Sequence, residues 1–163
     1  MKNVKWLVSV GLIVYLMLLV RVIILKYPDE MMSEILRTWS PAGMMQQAAR
    51  VNLIPFKTIG ESLFNPSVPV QLPTLIYNIA AFVPLGFLIP LVTDRARRLV
   101  IVLLVALGVS LFLEVVQVLT RLGDGDIDDI LLNVVGAAVG YGILVFVLWL
   151  SRSAARFSQP QSK

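Results

Sequence analysis

The sequence predicts an all-α integral membrane protein with four transmembrane helices. Three observations carry that prediction. The 163-residue chain is 58% hydrophobic and only 15% charged, and its mean hydropathy is +0.84. Its apolar residues come in long runs instead of recurring with the period of a half-buried helix or strand. Four of these runs have the roughly 20 residues needed to cross about 30 Å of hydrocarbon at about 1.5 Å per helical residue. Cysteine and histidine are both missing, so disulfides and thiolate or imidazole metal sites are excluded and any chemistry falls to carboxylates, amides and hydroxyls. The formal charge is +4, but the basic residues flank apolar runs and do not line a soluble face, so nucleic acid is not an expected partner.

The first span runs over 4–25. Lys2 and Lys5 give it the start of a secretory signal, but its core is too long and Arg21 to Lys26 offers no small-residue cleavage site, so it reads as an uncleaved anchor. A segment of about 49 residues, Lys26 to Thr74, separates it from the second span. Within that segment Met31, Met32, Ile35, Leu36 and Trp39 share one helical face against Ser33, Glu34, Arg37 and Thr38. Such a helix lies either in the membrane interface or on the bundle. The remaining spans are expected at 75–92, 99–119 and 127–150. No tandem repeat or low-complexity tract divides the chain, which reads as one domain over 1–163.

Lysine and arginine in short loops orient the spans. Asp94-Arg-Ala-Arg-Arg98, the tail residues Arg152, Arg156 and Lys163, and Lys2 with Lys5 all fall on one side of a four-span chain. Both termini are therefore expected in the cytoplasm, with the long segment and Gly123-Asp-Gly-Asp-Ile-Asp-Asp129 facing outward.

That acidic loop precedes the fourth span, where helix N–H groups and the macrodipole stabilise carboxylates by about 0.3–1 kcal/mol each. Asp124, Asp126 and Asp128 alternate like the first ligands of a calcium loop. The match stops there, because Asp129 stands where the turn glycine belongs and Val135 where the bidentate glutamate belongs, so no metal is expected. Asp126, Asp129 and Asn133 share a helical face, with Arg121 their expected partner. On the third span Glu114, Gln117 and Arg121 form a stripe, and Asn78 is the polar residue of the second. Asn78, Glu114 and Asn133 all lie about 5–10 Å inside the outer ends of their helices at about 1.5 Å per residue. Ionisable groups at such depth usually face the bundle interior. Pro84 is expected to kink the second helix and free the carbonyl of Ala80. These polar groups either hydrogen-bond one another as glue, with Gly136-x-x-x-Gly140 bringing backbones together, or line a site open to the outside.

Several ordered motifs carry a family resemblance. Asn52-Leu-Ile-Pro-Phe56, Asn78 followed by Phe82-Val-Pro-Leu-Gly86, Glu114-x-x-Gln117 with Arg121, and Asp126-x-Asp128-Asp129 leading to Asn133 and Gly136 resemble the successive motifs of the VanZ-like family. The resemblance covers about Asn52 to Tyr141. It implies a small protein of the bacterial cytoplasmic membrane, in a family named for a member that lowers susceptibility to teicoplanin, and it adds Asn52 to the candidate residues. Some members carry enzyme-like labels such as phosphotransbutyrylase, but this chain has no phosphate-cradling glycine loop and no cytoplasmic domain for acyl-phosphate chemistry.

Two function classes follow. The first is a non-enzymatic envelope protein that binds a membrane lipid, a lipid-linked cell-wall precursor or an amphiphilic glycopeptide through Asn52, Asn78, Glu114, Gln117, Arg121, Asp126, Asp129 and Asn133. Arg121 would meet phosphate or carboxylate. The second is a membrane-embedded, carboxylate-dependent hydrolase or transferase acting on an envelope lipid, with Glu114 and Asp126 or Asp129 as acid and base, working alone or with a divalent ion. No other cofactor is expected for either. The orientation is directly testable: single cysteines at Ser67 and Gly125 should react with an impermeant thiol reagent in intact cells, and one at Ser158 should not; the reverse pattern would overturn it.

Overall fold

The computed structural model describes residues 2–24, 28–65, 72–93 and 98–157. Among them are seven helices: α1 (Lys2–Ile24), α2 (Asp29–Arg37), α3 (Pro41–Ala48), α4 (Lys57–Phe64), α5 (Leu72–Val92), α6 (Leu99–Thr120) and α7 (Ile127–Phe157). Four contain stretches long and apolar enough to cross a membrane, Val4–Ile23, Leu72–Val92, Leu99–Thr120 and Ile127–Ala154. These are the four expected spans. Helix α5 begins three residues early because Pro73 is tolerated in a first turn, where its missing N–H has no helical partner to lose. Helix α7 runs on through Ser151 and Arg152, where the apolar pattern stops but the helix does not. Leu25, Lys26, Asp94 to Arg97, Ser67, Ser158 and Lys163 lie outside the described residues.

Helix α5 is central, packing on α7, α1 and α6, while α7 also packs on α6. The core joins Leu19 of α1, Phe82, Leu85 and Ile89 of α5, Val102, Ala106 and Leu113 of α6, and Ala137 of α7. The opposite faces carry exposed Leu7, Val14, Ile76, Leu104, Leu111, Val139 and Phe146. So much apolar surface on every long helix suits hydrocarbon.

Glycines set the α5–α7 distance. A Cβ at Gly136 would stand 2.1 Å from the Ile79 carbonyl oxygen, one at Gly140 1.9 Å from that of Val83, and one at Gly86 1.9 Å from that of Ala137. The first two pairs, Ile79 with Gly136 and Val83 with Gly140, ascend together, so the two helices run parallel with their backbones in contact, as small residues permit in spans. Gly136 and Gly140 act as expected, and Gly86 supplies the reciprocal contact from α5. Helix α5 continues through Pro84 and Pro90 without interruption. Beside that position, the Tyr15 hydroxyl of α1 donates to the Ala81 carbonyl, so α1 is tied to α5 one residue from the carbonyl that Pro84 leaves without its helical donor.

The segment after α1 forms three short helices, of which only α2 was expected. Its apolar face is divided: Met32 and Ile35 pack toward the core, whereas Met31, Leu36 and Trp39 are exposed. Helix α3 begins at a Ser40 cap whose hydroxyl accepts the Gly43 N–H, with Pro41 in its first turn. Three side-chain contacts lay this segment on the end of α6 and the α6–α7 connection: Trp39 Nε1 donates to the Leu119 carbonyl (2.9 Å), and Gln47 Nε2 donates to the Gly123 carbonyl (2.9 Å) and to Asp124 Oδ1 (2.7 Å). Gly125, at φ 66°, has Val118 Cγ2 2.7 Å from the position of a Cβ. A reporter cysteine there is strained, and exposed Asp124 is the better place.

The glycine contacts make a stability prediction. Gly140→Val or Gly86→Ala should cost at least about 1–3 kcal/mol by forcing the helices apart, seen as a lower unfolding temperature in detergent and less protein in the membrane. Gly142→Ala, with nothing within 4 Å of its Cβ position, should leave both unchanged.

Candidate functional site

The site is built around the start of α7. Here residues 51–58 and the α6–α7 connection meet in one short parallel bridge between Asn52 and Asp126. Asn52 N–H donates to the Gly125 carbonyl and Ile127 N–H to the Asn52 carbonyl, both at 3.0 Å. The Asn52 amide donates to Asp126 Oδ1 (3.0 Å) and Thr58 Oγ1 (3.1 Å), and its oxygen accepts the Ile54 N–H (3.2 Å). Asp126 also accepts the Asp128 N–H at Oδ1 (2.9 Å) and the Thr58 hydroxyl at Oδ2. Asp126 therefore caps α7 and pins Thr58 of α4 at the same time.

Asp128 is fully buried and reaches the other way. Its Oδ1 accepts the Phe56 N–H (2.5 Å) and its Oδ2 the Ile59 N–H (3.1 Å). Phe56, in the left-handed region at φ 65°, precedes α4 and has no side chain able to cap it. An aspartate from another helix satisfies those first-turn donors instead. Asp128 was read only as part of the acidic motif and was not among the eight candidate site residues, and Thr58 was not noted in the sequence. The signal available was a helix start at Lys57 with no capping residue before it.

Deeper in the bundle lies a cavity of about 350 Å³ between α1, α5, α6 and α7. Its lining includes Asn78, Glu114, Gln117, Asp129 and Asn133. Asn78, Glu114 and Asn133 each stand six residues inside the near ends of α5, α6 and α7, about 9 Å at about 1.5 Å per residue. The Asn78 amide donates to Asp129 Oδ1, joining α5 to α7. Asn133 Nδ2 donates to Ser110 Oγ of α6 (2.9 Å), and Gln117 Nε2 to the Ile23 carbonyl of α1 (3.2 Å). Glu114 Oε2 accepts the Asp126 N–H (3.0 Å) and thereby links the cavity to the junction above it. Glu114, Gln117 and Asn133 are buried, while Val22, Thr74 and Tyr77 form an exposed rim. Behind Glu114, a second hollow of about 350 Å³ is lined mainly by apolar side chains, including Leu53, Leu111, Val115 and Ile130.

Arg121 is placed differently from expectation. It ends α6 in the left-handed conformation at φ 62°, where glycine is usual, and this turns its side chain toward the α2–α3 segment. There Nη1 donates to the Thr38 carbonyl (2.9 Å), and the guanidinium packs so closely on Gly43 that a Cβ would approach it to 3.0 Å. Among the described residues it makes no contact with Asp126 or Asp129. Its backbone conformation, invisible in a helical-face argument, decides this. Of the eight candidates, then, Asn78, Glu114, Gln117, Asp129 and Asn133 share a cavity, Asn52 and Asp126 build the junction, and Arg121 stands apart. Among the described residues, no group of three or more acidic side chains is arranged to hold a metal ion.

Four apolar spans around a polar cavity make this a multi-pass membrane protein. A family model described as VanZ/LLP1 matches residues 12–149, and the chain belongs to that family. No curated protein and no solved structure matches it.

The role of Asp128 can be checked directly. Asp128→Ala leaves two partly buried N–H groups without their acceptor, at up to about 1–3 kcal/mol each, so limited proteolysis should cut between residues 52 and 65 well before it cuts the spans. Asp128→Asn, which keeps one acceptor oxygen, should lie between this variant and the parent protein.

Proposed function

We propose that the chain is a single-domain, non-enzymatic envelope protein of the bacterial cytoplasmic membrane, with both termini in the cytoplasm. In this reading its polar cavity opens outward and takes the polar group of an amphiphile: a membrane lipid, a lipid-linked cell-wall precursor or an amphiphilic glycopeptide. The observation that carries the reading is the meeting of Asn78, Glu114, Gln117, Asp129 and Asn133 from three helices in one cavity beneath an exposed rim. The cavity volume is within the range of small-ligand sites, and its depth matches the headgroup end of a lipid leaflet. Arg121 is not part of this cavity, so a phosphate or carboxylate role for it is not carried forward.

A second reading has its own support. Glu114 and Asp129 line the same cavity, so the acid–base pair of a membrane-embedded hydrolase or transferase reduces to those two. Asp126 falls out of it, because both of its oxygens accept hydrogen bonds from the surrounding fold.

The family resemblance supplies the assay. Teicoplanin carries an acyl chain and vancomycin does not, and each buried CH₂ adds about 0.8 kcal/mol of membrane residence. Expressed in a susceptible Gram-positive host, the protein should raise the inhibitory concentration of teicoplanin more than that of vancomycin. Asp129→Asn should weaken that protection at unchanged membrane level. Protection retained by Glu114→Gln supports binding, and its complete loss in a stably inserted protein supports catalysis. Equal protection against both drugs would remove the membrane-anchor argument.

A further inference from the structure

We infer that the cleft between the far ends of α5 and α7 binds an anionic phospholipid of the leaflet opposite the polar cavity, with the lipid phosphate on Arg152 and one acyl chain along the cleft. This site is separate from the polar cavity and does not depend on what that cavity takes. Leu144, Val145, Leu148 and Arg152 share one face of α7, and with Pro90 and Leu91 of α5 they line a hollow of about 240 Å³. Its wall is apolar along most of its length and basic at one end.

The glycine register puts the basic end where a headgroup lies. With Ile79 on Gly136 and Val83 on Gly140, the α7 residue level with Val92, the last of α5, is Trp149, and α7 continues to Phe157. Arg152 therefore projects about one turn beyond the end of α5. Because a helical side chain leans over the turn that precedes it, Arg152 reaches back over Leu148 and joins the lining of the cleft. Counted along α7 at about 1.5 Å per residue, it stands about 37 Å from the start of the helix. That distance carries it past about 30 Å of hydrocarbon to the opposite headgroup level.

Charge then selects the lipid. The described residues of that end include Lys5 at the start of α1, Arg98 at the start of α6 and Arg152, and none of them is acidic. A phosphate arriving there meets no carboxylate, and a guanidinium presents it with paired N–H donors. Basic pockets between spans take anionic headgroups in this way. A free phosphate would use the guanidinium alone, whereas the apolar lining contributes only when a chain is buried on it. The occupant that uses both parts is a lipid.

The test is native mass spectrometry of the full chain released from detergent with equal amounts of phosphatidylglycerol and phosphatidylethanolamine of matched acyl chains. Both carry the phosphate, but only phosphatidylglycerol is anionic, and its retention about tenfold above phosphatidylethanolamine supports the inference. Equal retention, or preference for phosphatidylethanolamine, overturns it. Arg152→Gln should remove the preference at unchanged unfolding temperature, while Arg98→Gln, at the same end but outside the cleft, should keep it. Equal loss in the two variants would make the preference a property of the summed charge of that end and overturn the site. Val145→Trp, made at an exposed position on the cleft wall, should fill the space and lower phosphatidylglycerol retention; unchanged retention would overturn the seating of the chain. Displacement by millimolar glycerol phosphate would show that the phosphate alone is recognised and overturn the lipid as occupant. Asp129→Asn should leave the preference intact, and its loss there would move the lipid to the polar cavity and overturn the assignment to this cleft.

Discussion

The direct backbone contact between α5 and α7 is the constraint on which the rest depends. In hydrocarbon, apolar side chains gain nothing from meeting one another in preference to lipid, so helices associate through close packing and polar contacts. Gly86, Gly136 and Gly140 provide the packing, each with a neighbouring carbonyl where a Cβ would be. Because Ile79 lies on Gly136 and Val83 on Gly140, there is one register in which the two helices fit. In that register Asn78 reaches Asp129. The site's central polar contact is thus a consequence of glycine placement one turn deeper in the bundle.

The acidic loop solves a second problem, that of irregular backbone next to a membrane. Residues 51–56 belong to no helix, and their N–H groups need acceptors. Asp128 accepts two of the N–H groups at the α4 start, Asp126 accepts that of Asp128, Asn52 accepts that of Ile54, and Glu114 accepts that of Asp126. Most of this charge therefore supports main chain. Asp129 differs: its Oδ1 accepts from a side chain, that of Asn78, and it faces the cavity. Four aspartates in six residues are explained by three distinct tasks: Asp124 receives Gln47, Asp126 and Asp128 cap helices, and Asp129 lines the site.

What could be read in advance follows from how local each signal is. The four spans are continuous apolar runs, visible within a single window. Equal depth of Asn78, Glu114 and Asn133 needed only residue counting from the helix ends, and those three do share a cavity. Helix α4 was not legible because its cap, Asp128, comes from about seventy residues away, and neither its own start nor its short apolar content announces it. Arg121 was misplaced because a helical stripe assumes that the helix continues. It ends there instead, in a left-handed turn that reverses the side chain's direction. Helix α5 runs through Pro84 without interruption, although the local preference of that residue is to break a helix.

The choice between structural glue and a binding site turns on whether the polar groups satisfy one another. Glue predicts closure: each donor finds an acceptor across the helix interface and no space is left between them. Part of the set behaves so, as Asn133 Nδ2 with Ser110 and Gln117 with Ile23 tie α6 to its neighbours. Asn78 with Asp129 ties α5 to α7 in the same way, and one acceptor of the set is left open. Asn133 Oδ1 is buried without a partner although the same amide's nitrogen is well placed, and the side chains surround about 350 Å³ of space in place of packed contact. An unsatisfied buried acceptor beside a cavity in a bundle held this tightly by glycine contacts is poor glue. It is, however, what an acceptor kept in position for a ligand's donor would look like, because the bonds that orient Asn133 are made by its other atom.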